Sequence, residues 1–319
     1  MKLGKNTVKY CGLFCLNKPM PENEKPVKKE RNKETFLLSE EVSSKIFETS
    51  VVPYLFRDSV RSAHPKVFFV GAQPGAGKTP LLRYITQNEV TDRNNLVEIN
   101  GDDLRAFHPE YSRLLREDDE SAAFFTDLDS ARWIEQAITY AAERVGCSVG
   151  IEGTLRQHKI VQKTSALFRD HGYKTSLNVL VIHPLLSRLC IVERYLGQLA
   201  DSGMGRFTLR EAHDASVNAL PYTVEQIILD HDVDEIRLYA RGGIQSGYWT
   251  FRDQETLAVR DEIIHIILAA RSGMSSEEVA YIEHTLPRIK IETLKVNKKH
   301  LSKEIEILER DFSVFKSQS

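Results

Sequence analysis

Two rhythms of apolar residues alternate along most of the chain. Short unbroken apolar runs predict buried parallel strands. They occur at Val67-Phe68-Phe69-Val70, residues 95–100 (NLVEIN), residues 147–151 and residues 175–182 (TSLNVLVI), with 235–239 (EIRLY) as a last strand. Between them, apolar residues recur at helical spacing. The first such stretch starts at Ser39, a capping hydroxyl followed by Glu40 and Glu41. Its apolar face is Val42, Ile46, Phe47, Val51, Val52, Leu55 and Phe56, and Pro53 is expected to interrupt or kink it. A second helix carries Leu81, Leu82, Tyr84 and Ile85. A third spans 121–144 through Trp133, Ile134, Ala137, Ile138 and Ala141 and is closed by Gly146. A fourth spans 158–171, and a fifth follows His183-Pro184.

This alternation predicts an α/β domain over residues 35–270, a mostly parallel sheet with helices on both faces. Two segments differ in character. Residues 1–34 include a stretch rich in Pro, Lys and Glu with little to bury, which predicts poor order. In residues 271–319, Ile291, Leu294, Leu301, Ile305, Leu308, Phe312 and Phe315 fall at heptad positions, with Lys298 the polar exception. That pattern predicts a long amphipathic helix. It would serve either self-association through residues 288–319 or docking on its own domain.

The chain has 319 residues and 41% hydrophobic content, enough for a substantial core. Its net charge of -2 gives no polycation to suit nucleic acid. No apolar run approaches the roughly 20 residues of a membrane helix, and residues 10–16 show no cleavage site of a signal peptide. Cys11 and Cys15 are too close for a structural disulfide, and Cys147 and Cys190 fall in apolar stretches as buried thiols. A reducing, cytoplasmic setting is expected.

The chemistry begins where the first strand ends. Gly71 leads into Ala72-Gln73-Pro74-Gly75-Ala76-Gly77-Lys78-Thr79, a phosphate-binding loop between a strand and a helix. Gly75 and Gly77 let successive N–H groups turn toward phosphate oxygens. Lys78 would place a cation on the β- and γ-phosphates of ATP, and the Thr79 hydroxyl would join a Mg²⁺ shell. Pro80 sits in the first helical turn, where its missing N–H costs nothing. Phosphoryl transfer to an alcohol also needs a base and cations for the moving charge. Asp102, at the end of the second strand, is the candidate base. Asp103 beside it suits a helix cap. Glu152 ends the third strand and could orient Mg²⁺ or bind the acceptor, with Arg156 just beyond. Arg194 and Arg206 are candidate phosphate forks.

Taken in order, GAQPGAGKT, INGDDLRAFHPEY, IEGTLR, ERY and GRFTLREAHD resemble the zeta toxin family of bacterial toxin–antitoxin systems over about residues 37–242. The resemblance implies a kinase that moves the γ-phosphate of ATP to the 3′-hydroxyl of UDP-N-acetylglucosamine. It assigns Asp102 as base, Lys78 and Thr79 to phosphates and Mg²⁺, and Arg194 and Arg206 to the ATP phosphates in the transition state. Glu152, Thr154 and Arg156 would line the nucleotide-sugar pocket, with Asp103 a further candidate substrate contact. The family's substrate-contacting helical acid falls at Glu135 or Gln136. The family usually has Gly where this chain has Ala72 and a small residue where it has Leu155. Zeta-type toxins are held by a separate antitoxin; here the helix before the phosphate loop or the terminal helix could act in cis. Two further readings stay open: a kinase of another acceptor, and a nucleotide-gated binding module.

Overall fold

A computed structural model describes residues 32–89, 96–241, 245–250, 256–296 and 298–318. The segment expected to be poorly ordered, Cys11 and Cys15 included, lies outside the described residues up to position 31, as does Asn95 of the predicted second strand. All features below belong to the compact unit Lys33–Ser319.

The strands are β1 (Lys66–Gly71), β2 (Leu96–Ile99), β3 (Ser148–Gly153), β4 (Lys174–Leu180), β5 (Glu235–Tyr239) and β6 (Gln245–Thr250). They lie in the order β2-β3-β1-β4-β5-β6. The first five pair in parallel, and β6 runs antiparallel along β5 as an edge strand the apolar pattern did not reveal. β1 is central because Val67, Phe68, Phe69 and Val70 are all buried, which requires cover on both faces. The chain leaves β1 toward β2 on one side and later reaches β4 on the other. Such a reversal opens a crevice at the carboxyl ends of the strands.

The helices before the site are α1 (Glu40–Ile46), α2 (Val52–Phe56) and α3 (Lys78–Glu89). The α-helical pattern is interrupted just ahead of Pro53. A wide turn, Phe47–Val51, joins α1 to α2 and shifts the hydrogen-bond register just before the residue without an N–H. Then come α4 (Gly101–Leu104), α5 (Tyr111–Glu117), α6 (Ala122–Phe125) and α7 (Asp127–Tyr140), the last continued by a wide turn to Gly146 at φ +73°. The single helix expected over 121–144 is thus divided near Thr126. There Arg105 donates to Ala123 O at 2.8 Å, the carbonyl that an unbroken helix would use at residue 127. Trp133 of α7 is fully buried and donates to Ser43 O at 3.1 Å, which fastens α1 over the sheet. The remaining helices are α8 (His158–Asp170), α9 (Pro184–Ser202), α10 (Arg210–Leu229), α11 (Thr256–Ser272), α12 (Ser276–Val296) and α13 (Lys299–Gln318).

The heptad pattern does not form one long helix. α12 and α13 fold back on each other, as Lys290–Glu309 (2.7 Å) and Lys316–Glu283 (3.1 Å) show. Leu301, Ile305, Leu308 and Phe312 are buried in one core cluster with Leu186, Leu189 and Val192 of α9. Ile291 and Leu294 are exposed. The seam is therefore used within the chain, and docking on its own domain is the alternative realised. Lys298, the polar exception, falls at the break and pairs with Asp119 at 2.7 Å.

Leu155 adopts φ +50°, a left-handed conformation that bulky residues rarely take. Its side chain is buried in the core, where a Cβ added at Gly71 would lie 2.2 Å from Leu155 Cδ1. The bulk at this position therefore fills the sheet face under β1. Gly71→Ala is expected to lower stability by about 1–3 kcal/mol through overpacking. Thermal melts should show the loss, and Leu155→Ala in the same background should recover part of it.

Candidate active site

The phosphate loop is shaped by its glycines and tied down by a glutamine. Gly75 and Gly77 have φ of +79° and +101°, and a Cβ on Gly75 would meet Ser187 O at 2.1 Å. The buried Gln73 side chain turns away from the cleft and donates to Ile182 O at 3.0 Å, just past β4. It anchors the loop, and only its backbone remains for phosphate. Ala72 is fully buried among apolar neighbours, so a methyl group suits this position. Lys78 opens α3 and donates to Ala72 O (3.3 Å) and Gln73 O (3.4 Å). Parallel pairing sets Glu152 of β3 opposite Val70 of β1, and Thr79 Oγ1 donates to Glu152 Oε2 at 3.2 Å.

On the neighbouring side, Asn100 ends β2 and caps α4 by accepting from the Asp102 N–H at 3.0 Å. The cap is thus Asn100. Neither aspartate serves as one, contrary to the role expected of Asp103. A Cβ at Gly101 would press on Ile134 Cδ1 at 2.8 Å, so the backbone lies close against α7. Asp102 projects into the cleft, where Arg206 donates to its Oδ2 and Arg105 Nε lies 3.7 Å from Oδ1. Arg194, on α9, donates to Thr208 Oγ1 at 3.3 Å in the loop that carries Arg206. Arg156 Nε donates to Thr154 Oγ1 at 3.2 Å.

These groups share one cleft of about 840 Å³, lined by residues 74–81 together with Asp102, Glu152, Thr154, Arg156, Arg194 and Arg206. Asp103 is exposed and does not line it. Glu135 and Gln136 do not line it either; Glu135 is exposed and Ile134 holds the cleft-facing position of α7. Successive helical residues are about 100° apart, so a helix that points residue 134 inward points 135 and 136 elsewhere. Among the described residues, no side chain of α1, α2, α12 or α13 lines the cleft, so those helices do not plug it. Sequence reasoning missed Arg105, Thr208, Cys190 and Arg241. The first two lay inside motifs already singled out. Arg241 follows the carboxyl end of β5, where the strand-end rule could have found it. Cys190 is half-buried and faces the cleft, and burial pushes its thiol up to about 11.

The charges are strongly coupled. Burial pushes the Asp102 carboxyl up, but Arg206, Arg105, Arg194 and Lys78 together outweigh it and hold the group below its usual range. Burial pushes Glu152 up, against the Thr79 hydrogen bond and Lys78, with help from Glu98 and Asp102. Arg194 is lowered by burial and then by Arg206. Lys78 is lowered to about 8, chiefly by burial, against the pull of Glu152 and Asp102. Outside the cleft, His158, Asp230 and Asp232 converge, with His158 Nε2 2.5 Å from Asp232 Oδ2 and 3.4 Å from Asp230 Oδ2.

A glycine-shaped strand–loop–helix turn at the switch point of a parallel sheet, faced by a carboxylate and two arginines, places the chain in the kinase-like α/β fold class. Within that class, residues 54–252 match the zeta toxin family model, and the chain belongs to that family. It is 31% identical over 188 residues to toxin PezT of Streptococcus pneumoniae serotype 4, spanning 59% of this chain and 73% of that protein. It is 30% identical over 182 residues to toxin zeta of Enterococcus hirae, spanning 57% of this chain and 62% of that protein's length. A solved structure from the PezAT chromosomal toxin–antitoxin system of S. pneumoniae superposes with a TM-score of 0.64 at 23% identity, covering 83% of this chain and all of that one. No helix among the described residues is long and apolar enough to cross a membrane.

Proposed function

We propose that the chain is an ATP-dependent kinase that phosphorylates the 3′-hydroxyl of UDP-N-acetylglucosamine and so removes a cell-wall precursor. The observation that carries the kinase reading is the convergence of Asp102, Lys78, Arg194 and Arg206 on one cleft. In that reading the acceptor O–H gives its proton to Asp102 as the oxygen bonds to the γ-phosphorus. The bond from that phosphorus to its bridging oxygen breaks, and ADP leaves. Lys78, Arg194 and Arg206 hold the charge on the transferring group. The hydroxyl and carboxylate oxygens of Thr79 and Glu152, 3.2 Å apart, are hard donors that suit Mg²⁺, which when bound neutralises phosphate charge. The acceptor identity rests on family membership, with Thr154 and Arg156 at the cleft as its contacts. A separate antitoxin is the expected partner, by analogy with the PezAT system.

Mass spectrometry of UDP-N-acetylglucosamine incubated with ATP, Mg²⁺ and the protein tests the reading, and the expected product carries one added phosphoryl group. Folded protein that modifies no UDP-sugar overturns the acceptor. Transfer to another alcohol in a labelled-ATP screen replaces it. ATP binding without turnover would leave a binding module.

Lys78 makes the reading testable without an acceptor. Its folded pKa of about 8 lies below the ordinary lysine value. Between the two, the unfolded chain binds more protons, so stability on Lys78's account rises with pH from about 8 upward. Phosphate should restore the charge. ATP binding at pH 8–9 is therefore expected to take up protons, seen in calorimetry across buffers of different ionisation enthalpy. Lys78→Met should abolish the uptake.

A further inference from the structure

Helix α13 lies beyond the residues that match the family model, yet it reaches the segment that carries both phosphate-facing arginines. Glu304 is buried, and one of its oxygens, Oε1, accepts from Arg188 Nε at 2.9 Å and from Arg210 at 3.0 Å. Arg188 lies on α9, which also holds Arg194. Arg210 opens α10, just after the loop that holds Arg206. That loop begins at Gly203, at φ +71°. It is fastened to α9 by the Arg206 N–H, which donates to Gln198 Oε1 at 3.0 Å, and by the Arg194–Thr208 bond. Beyond its far end, the start of α10 is joined to α9 by the Ser187 Oγ–His213 Nε2 contact at 2.8 Å and, across α13, by Arg210, Glu304 and Arg188. Docking of α13 does not need the carboxylate, since Leu301, Ile305, Leu308 and Phe312 already bury its apolar face. A buried ion pair adds little net stability, whereas removing one partner leaves the other charge buried and uncompensated.

We propose that Glu304 is a positioning residue for phosphoryl transfer, a clamp that ties α9 to the start of α10 and so fixes the Arg194–Arg206 pair at the cleft. The proposal rests on the kinase reading above. Arginines that act on the transition state affect kcat more than ground-state binding. Glu304→Gln is therefore expected to lower kcat at least tenfold while KM for ATP stays within about twofold. Glu304→Asp, which keeps the charge, is expected to recover most of the rate. Hydrogen exchange across residues 203–209 should speed up in Glu304→Gln while β1 and β4 stay as protected as before. Unchanged kcat, or unchanged exchange in 203–209, overturns the proposal. If the unaltered protein transfers phosphate to no acceptor, the kinase reading has failed, and the exchange measurement alone decides whether Glu304 holds the loop. If Glu304→Gln does not fold, Arg210→Gln carries the same predictions, since it leaves the buried Arg188–Glu304 pair in place.

Discussion

Asp102→Asn is expected to lower kcat for phosphoryl transfer by about 10²–10⁴-fold, the range that general-base catalysis supplies. The substitution keeps shape and removes only the charge that accepts a proton. Asn100 caps α4 through its own side chain and the backbone of residue 102, so the helix and the fold should survive. The stability change has a defined sign. Asp102 has its carboxyl held below the usual range, so its contribution is present above the unfolded value and is lost as pH falls through the folded one. Melts of the two proteins should therefore converge at low pH and differ near neutrality. A variant that folds and keeps its rate would remove Asp102 from the mechanism.

Arg206→Met is expected to cost about 10³–10⁵ in kcat, comparable to loss of an arginine finger. A second effect sets it apart from general damage. Arg206 pairs with Asp102, whose carboxyl it lowers more than any other cation does. A γ-phosphate would compete for the same guanidinium, and its departure would free the base. In Arg206→Met the carboxyl should titrate at higher pH, so the acid limb of the residual kcat/KM profile should move upward. An acid limb that stays where it was would show that the Asp102–Arg206 pair has no part in turnover. The effects of Asp102→Asn and Arg206→Met should not add, because each removes part of one ion pair.

Other features were legible only in part. The helical break near Thr126 left no mark in the apolar pattern, because it comes from Arg105 taking a carbonyl from α6. The heptad tail had the right spacing but two possible partners. Spacing says that a face must be buried, and only packing says against what. Glu135 lies off the cleft because a one-position ambiguity along a helix becomes a rotation of about 100° in space.

The chain's own order of residues determined the parallel sheet, the phosphate cradle and the strand-end position of Asp102 and Glu152. Each follows from local rules: apolar runs must be covered on both faces, glycine alone tolerates the turn, and functional groups gather where parallel strands end. Tertiary structure alone decided that Arg206 reaches back 104 positions to Asp102, that Leu155 fills the space above Gly71, and that Glu304 joins α9 to α10. These contacts join residues far apart in the chain. No local periodicity encodes which buried charge meets which, and the meeting is set only when the helices pack.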